Sequence, residues 1–511
     1  MAVEAGQAGK SRLPARVLGA TAVILVLYAG LCKALLFRDL EYVGSDFFSF
    51  LEMTWSWHYA GRLLHDNVYG SHHAIHNFYL LPAFAPLTIP LGAYGLVLGL
   101  VLLNLLAVLR VGSAPLLGLS GRLALLAGLL SPVAGFVFDH PRWGFHPELC
   151  YPPLAVLLAL DLLEGRWKRA ILVTALVVLV KEDGAVLAAS VVLAYFAERL
   201  SSLGTASGEE RRRVIRAALR SLFALALVFL AGLLALSAAG HGLVATQGTA
   251  TPRILASLRI LTRTLAGRGD PYRRLQMEDG LAVYALIGVL ILLPLGKRLS
   301  RGLLLLPSAL PLLAVLLLSS AGYQFALMLW PPRVATLLAL FLACLAFASV
   351  SGESPVPGPG EGRAVAATGV LAAVSWGLQL VMLSALGYAP GPRLRVVALL
   401  DGGDYRVSTV PEQELRFLRC LARRLPGGMP VSSFGDTHPV FHRQSIVFEG
   451  FEEHAWRPAR LRVVPASEPA SAADGPLCRG PRLGGLAVEA ECDLLPLVAG
   501  CDRQVSPRGP P

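Results

Sequence analysis

The sequence predicts an α-helical polytopic membrane protein of about 11 transmembrane helices, closed by a small C-terminal α/β domain. Three observations carry that fold class. Of 511 residues, 55% are hydrophobic and only 15% charged, where soluble proteins carry about a quarter charged residues. The apolar residues fall in long runs: Val17–Phe37, Tyr94–Leu109, Leu123–Val137, Ser221–Leu236, Leu281–Leu295, Leu303–Leu318, Val334–Val350 and Val365–Leu386. Several reach the roughly 20 residues that a helix needs to cross the hydrocarbon core. Past Leu386 these runs stop and the composition turns polar.

The first span covers Arg16–Phe37. Lys10, Arg12 and Arg16 precede it without a convincing small-residue cleavage site after it, which predicts an uncleaved span with its N-terminus inside. A polar, aromatic exterior loop, 38–77, follows. The block Phe78–Leu109 is interrupted by Pro82, Pro86 and Pro90, and reads as a short entering helix and then a full span. A third span over 116–138 leads through the loop 139–148 to a fourth, 149–163. Two short apolar runs, Ala170–Val180 and Gly184–Phe196, flank Lys181-Glu182-Asp183. Two tilted elements meeting at one face keep those charges near water; one long helix would bury them midway. Further spans are expected at 221–240, 280–296, 302–320, 333–350 and 365–387.

The net charge is +11. It fits the positive-inside bias of membrane proteins, and no basic, aromatic-interleaved stripe argues for nucleic acid. The basic segments at Arg166–Arg169, 199–220 and Lys297–Arg301 mark the inner side. Alternation then puts 38–77, 139–148, 181–183, 241–279 and the C-terminal domain outside. The six arginines of 241–279 run against this; Ile254, Leu258, Leu261 and Leu265 recur there at helical spacing, as in an interfacial helix. The expected organisation is a transmembrane domain over 1–387, an exterior α/β domain over 388–505 and a disordered tail over 506–511. Within the exterior domain, Glu412–Leu425 has the pattern of an amphipathic helix, and Pro430–Phe434, Ser445–Phe448 and Leu461–Val464 those of short strands, with a Rossmann-like flavour but no G-x-G-x-x-G. Cys420, Cys478, Cys492 and Cys501 lack zinc spacing and suit disulfides in an oxidising compartment, with the pairing open.

Several ionisable residues stand at costly positions. Asp46, just beyond the first span, suits a general base or a metal ligand, or is a plain loop carboxylate at the interface. His72, His73 and His76 crowd one stretch; His72 and His76, four apart, share a helix face as metal ligands do, though interfacial histidines need no metal. His140, Arg142, His146 and Glu148 cluster between the third and fourth spans. Lys181, Glu182 and Asp183 are either functional or an internal ion pair that neutralises a turn. Arg333, at the mouth of a late span, suits a lipid phosphate or a snorkelling anchor.

In this order and spacing the landmarks are familiar: Asp46 after the first span, His76-Asn77-Phe78 before the Pro82–Pro86 helix, Phe145-His146-Pro147-Glu148, Lys181-Glu182-Asp183, and THPVFHRQSIVFEGF (437–451) followed by LRVV. The chain resembles a family of bacterial and archaeal polytopic membrane proteins of unknown function, grouped by likeness with the C-type (GT-C) glycosyltransferases. It departs from the family at Tyr323-Gln324-Phe325, where a histidine–tyrosine pair is usual, and around Asp46 it lacks a D-x-D pair, Glu52 being the nearest acid downstream. The resemblance implies a multi-pass protein of the bacterial inner membrane that transfers a sugar from a polyprenyl-phosphate donor on the outer face. It also implies Asp46 and Glu182 as catalytic carboxylates, with His76, His146, Glu148, Lys181 and Arg333 against substrate. A divalent metal ion, held by His72, His76 or Asp46, would complete the site. The partners are then membrane lipid and the lipid-linked sugar. Two rival readings remain: a transporter or lipid flippase, which favours internal repeats and mid-membrane charges, and a non-catalytic scaffold that presents the exterior domain.

Overall fold

The computed structural model describes residues 12–38, 45–68, 70–71, 78–138, 144–202, 208–238, 262–263, 266–268, 271–321, 331–350, 361–386, 388, 410–433, 435–448, 458–467 and 477–502. It is mostly helical, with a small sheet region near the C-terminus. Six of the described helices are long and apolar enough to cross a membrane: Arg16–Arg38, Ala93–Ser113, Gly184–Ser201, Asp279–Leu304, Pro331–Ala348 and Glu361–Ala385. A seventh arises if the pair Leu119–Leu129 and Pro132–Phe138, bent by 41°, counts as one span. Fewer spans than the expected number thus meet the length criterion among the described residues. The reason is that several apolar runs fold as shorter helices, such as Tyr151–Leu163, Trp167–Val180 and Leu310–Ala321.

The elements follow from local sequence. α1 (Arg12–Arg38) is apolar from Val17 to Phe37, with Lys33 its one charge there, and α2 (Ser45–Ala60) follows it. A two-residue hairpin, β1 (His65–Asp66) with β2 (Gly70–Ser71), caps α2. Pro82 and Pro86 each fall in a first helical turn, where the missing N–H costs little; they start a 3-10 turn, Leu81–Phe84, and α3 (Ala85–Leu91). Gly92, at φ 57°, ends α3 and admits α4 (Ala93–Ser113) at a new angle. α5 (Leu119–Leu129) and α6 (Pro132–Phe138) form the bent pair. A 3-10 turn at Pro147–Cys150 leads into α7 (Tyr151–Leu163). α8 (Trp167–Val180) and α9 (Gly184–Ser202) meet at Lys181–Asp183, so the charged triplet lies in a turn between two helices rather than inside one. α10 (Gly208–Ala238), α11 (Pro271–Leu292), α12 (Leu299–Leu304), α13 (Leu310–Ala321), α14 (Pro331–Ala348) and α15 (Glu361–Ala385) complete the helical body.

α14 is its centre. Its apolar span is 94% buried, against 28% for α15, and it packs on α7, α9 and α11. α7 is buried throughout Tyr151–Leu162. α1, α4 and α15 instead turn Ile24, Leu106, Leu109 and Val381 outward, as helices facing lipid do. At the end opposite Asp46, ion pairs join the helices: Arg110 of α4 reaches Asp161 (3.1 Å) and Glu164 (2.5 Å), and Arg301 Nε reaches Glu198 at 3.1 Å.

The C-terminal unit begins with α16 (Glu412–Arg424), strongly amphipathic, with Leu415, Phe417, Leu418 and Leu421 buried. Its five-stranded sheet has the order β4-β3-β5-β7-β6, with β3 (Pro430–Ser432), β4 (Ser445–Val447), β5 (Leu461–Pro465), β6 (Leu477–Leu483) and β7 (Leu486–Glu491). The first three strands are parallel, but β7 runs antiparallel to both β5 and β6. The sheet is therefore mixed, not a Rossmann-type parallel sheet, because β6 and β7 form a hairpin. Two disulfides, Cys420–Cys501 and Cys478–Cys492, fasten α16 to the C-terminal turn and the start of β6 to the end of β7. α17 (Leu495–Val498) packs back on α16.

This unit sits on α2. Glu52 is only 3% exposed, and its carboxylate accepts from the Ser445 hydroxyl of β4 and from the Asn67 backbone N–H (3.2 Å). The Asn67 amide donates in turn to Ser445 Oγ at 2.5 Å. Phe48 lies against His438 and Phe448, and the His442 ring meets Phe37 and Tyr94 edge-on. Gly92 is obligatory here, since a Cβ would come within 2.2 Å of His442 Nδ1.

Candidate functional site: an ionisable cluster at the Asp46 end

Three separate elements bring charge to one place. Asp46 opens α2, at its N-terminal turn, where a carboxylate is favoured by the helix dipole. His146 and Glu148 flank Pro147 at the entry to α7, and Lys181 ends α8. His146 Nε2 lies 3.8 Å from Asp46 Oδ2, and its Nδ1 lies 3.7 Å from Glu148 Oε2. Lys181 Nζ donates to Glu148 Oε1 at 2.8 Å. The row thus runs carboxylate, imidazole, carboxylate, ammonium. Beside it the Tyr151 hydroxyl donates to Asp183 Oδ1 at 2.5 Å. The imidazole rests edge-on against Phe50, whose ring meets Phe78.

Exposure orders the row. The Asp46 side chain is 24% exposed, against 6% for His146 and 2% for Glu148. Asp46 is therefore the more solvent-accessible carboxylate of the row, with the imidazole behind it. Glu148, Lys181 and Asp183 lie in connecting turns, outside the candidate spans. Burial alone would raise the Glu148 carboxyl, but the Lys181 ammonium and then His146 override it and hold it below the usual carboxylate range. Burial likewise opposes the Lys181 charge, yet Glu148 and Asp183 raise it. Asp183 is pushed up to about 6, by burial first and by the charges of Glu148 and Glu182 against the help of Lys181. Glu148–Lys181 is thus a buried ion pair that backs the histidine, and Asp183 is a carboxyl whose hold on a proton is strengthened chiefly by burial.

Glu182 is half-buried in the same turn and its charge reaches Lys181 and Asp183. Arg333, in the first turn of α14, hydrogen-bonds the Tyr284 hydroxyl and so ties α14 to α11. His72, His73, His76, His140, Arg142 and Tyr323–Phe325 lie outside the described residues. Among the described residues no group of three His, Cys, Asp or Glu side chains is placed to hold a metal ion.

Three participants were missed in the sequence. Tyr151 reads as the start of an apolar helix. Glu52 looks like one more loop acid. Lys33 lies inside the first apolar run, is 1% exposed, and donates to the Phe138 carbonyl at 2.7 Å, the last residue of α6. A lone lysine in a span is a signal in itself, and it was legible.

The apolar helices define a multi-pass membrane protein. Compared with protein-family models, curated proteins and solved structures, the chain matches none.

Proposed function

We infer that the chain is a membrane glycosyltransferase that transfers a sugar from a polyprenyl-phosphate donor at the outer face of the bacterial inner membrane. The observation that carries this reading is the meeting of Asp46, His146, Glu148 and Lys181, the residues on which the GT-C resemblance rests, in one partly open row. In this mechanism Asp46 takes the proton of the acceptor hydroxyl. The freed oxygen bonds to the anomeric carbon while the bond from that carbon to the phosphate oxygen breaks, and the lipid phosphate leaves with the electron pair. His146 orients Asp46 or accepts its proton, and the Glu148–Lys181 pair fixes the imidazole. Glu182 is the second carboxylate at the same turn. About 11 spans, an outward C-terminal unit and a divalent metal belong to this reading. The two disulfides support the outward placement, since such bridges persist in oxidising compartments.

The test is sugar transfer from a panel of polyprenyl-phosphate sugars by purified wild type, Asp46→Asn and Glu182→Gln. Wild type is expected to transfer, and Asp46→Asn to lose about a hundredfold or more while remaining folded. A wild type that neither binds nor consumes any donor ends the reading. A transporter or lipid flippase is the second reading, favoured by Lys33 buried in the first candidate span; it predicts that donor is bound and moved across vesicles but never consumed.

A further inference from the structure

A second charged feature lies apart from the Asp46 row, where the C-terminal unit meets the ends of two spans. A cavity of about 380 Å³, within the usual range of small-molecule sites, opens between α16, the Pro439–Gln444 segment, the last residues of α1 and the first of α4. Four arginines line it, Arg38, Arg419, Arg423 and Arg443, with no carboxylate among the described lining residues. Arg419 and Arg423 are one helical turn apart on α16, Arg443 comes from the segment before β4, and Arg38 ends α1. Three elements thus aim positive charge into one space.

Several described arginines are paired. Arg110 and Arg301 hold carboxylates between helices, Arg460 holds Glu491 and Asp493, and Arg416, on the same helix as Arg419, holds Glu412. Arg424 donates to the Ala499 carbonyl at 2.6 Å. Arg419, Arg423 and Arg443 have no ion pair among the described residues. Like charges at one helical turn repel; Arg423 and Arg443 are solvent-exposed, which screens that repulsion, and a bound anion would relieve what remains. His442 does not supply it: its ring is wedged between Phe37 and Tyr94, and its Nδ1 accepts from the Ala93 N–H at 3.3 Å.

The position narrows the ligand. Phe37 and Arg38 end one candidate span, and Tyr94 begins another. The cavity therefore has an aromatic floor at span ends and an arginine roof in the water-soluble unit. Guanidinium groups fork onto phosphate oxygens, and span ends lie at the depth of lipid headgroups.

We propose that this cavity binds a phosphate-ester group, held jointly by Arg419, Arg423 and Arg443 beneath the C-terminal unit. The ester comes from an anionic lipid headgroup or from a soluble phosphate compound. The proposal does not depend on sugar transfer, and its test reads binding, not turnover.

The experiment uses the full chain in nanodiscs. One arm offers phosphatidylglycerol in phosphatidylcholine and reads lipid retention by native mass spectrometry; the other offers inorganic phosphate to phosphatidylcholine-only discs and reads binding calorimetrically. Wild type and Arg419→Gln/Arg423→Gln/Arg443→Gln are compared, with Arg416→Gln as a control that removes a paired charge from the same helix. Selective phosphatidylglycerol retention assigns a headgroup, and binding of inorganic phosphate alone assigns a soluble phosphate compound. In either case the triple variant is expected to bind about tenfold more weakly or worse, Arg416→Gln to match wild type, and binding to weaken as salt rises. Arg443→Gln alone, on a separate element from α16, is expected to weaken binding about threefold, which covers any misfolding of the triple variant. The proposal is overturned if wild type binds neither probe, or if the triple variant retains both as wild type does.

Discussion

Glu52→Ala tests how the C-terminal unit is held. Glu52 is buried at the α2 face and receives the Ser445 hydroxyl and the Asn67 N–H. A hydrogen bond to a charged group contributes about 1.5–3 kcal/mol, and a buried donor left unpaired costs about 1–3 kcal/mol. Losing both acceptors at once, with partial overlap of the two effects, gives roughly 3–5 kcal/mol. That cost falls on the junction, not on the helical body, because the chain need not unfold as one unit. The assay is hydrogen exchange of amides that close β3 and β4, such as the Ser445 N–H to Met429 carbonyl and the Gly428 N–H to Arg443 carbonyl. About 3 kcal/mol corresponds to exchange faster by about a hundredfold. Amides in α7 and α14 should keep wild-type protection. The double variant Glu52→Ala/Ser445→Ala should exchange less fast than the two single effects added, since the pair is coupled. Exchange within about threefold of wild type at Ser445 and Gly428 would refute the reasoning and leave the aromatic contacts of Phe48 and His442 as the real fastening.

Two further outcomes rest on the same geometry. Lys181→Met leaves Glu148 as a buried unpaired charge and should cost about 3–5 kcal/mol, whereas Lys181→Met/Glu148→Gln should recover most of it; thermal denaturation in detergent reads both, and equal losses would show that the pair is not coupled. His442 is held down to about 4, by burial first and then by Arg443, in surroundings that also carry Arg38, Arg419, Arg423 and the Tyr94 phenol. Its folded value lies below its unfolded value of about 6.5, so the unfolded chain binds the extra proton between them. Junction stability should be complete above about pH 6.5 and fall by about 3 kcal/mol as the pH drops to about 4; exchange at β3 and β4 measures this, and a His442→Phe variant with the same pH slope would assign the loss to another group.

The helical body was legible because its cause is local. An apolar run such as Val334–Val350 has no alternative to a buried helix, and α14 forms over Pro331–Ala348. Pro82 and Pro86 similarly announced a short helix before a span. α16 and the strands β3, β4 and β5 were read from periodicity within a residue or two. Span lengths were harder. Leu149–Leu163 reads as a span by hydropathy, but the 3-10 turn at Pro147–Cys150 takes up its start and leaves a helix over Tyr151–Leu163. The β6–β7 hairpin escaped because Leu477–Leu483 carries arginines, a glycine and a proline instead of an alternating pattern. The disulfide pairing depended on how that hairpin and α17 come back on α16, which no spacing of cysteines encodes.

The site divides along the same line. Asp46, His146, Glu148 and Lys181 were each visible as charges placed where charge is expensive, and their meeting depends on α2, the Pro147 turn and the α8–α9 turn sharing one end of the body. Glu52 was invisible for the opposite reason: six residues from Asp46 in one helix, it looks equivalent to it, yet it turns toward the sheet and is consumed in a clasp. The segment 437–451 supplies the other half of that clasp. It stood out as a motif, and its described residues His438, His442, Ser445 and Phe448 are the ones that seat the C-terminal unit on α2 and on the ends of α1 and α4. Two acids of one helix therefore separate by partner, one aimed at an imidazole in a partly open row and one locked beneath the sheet. A substitution that opened the clasp would move Asp46 with it, because both ride on α2. Loss of transfer in Asp46→Asn is informative about catalysis only alongside unchanged exchange at Ser445, and that pairing of readouts distinguishes a reacting carboxylate from one that merely holds the fold.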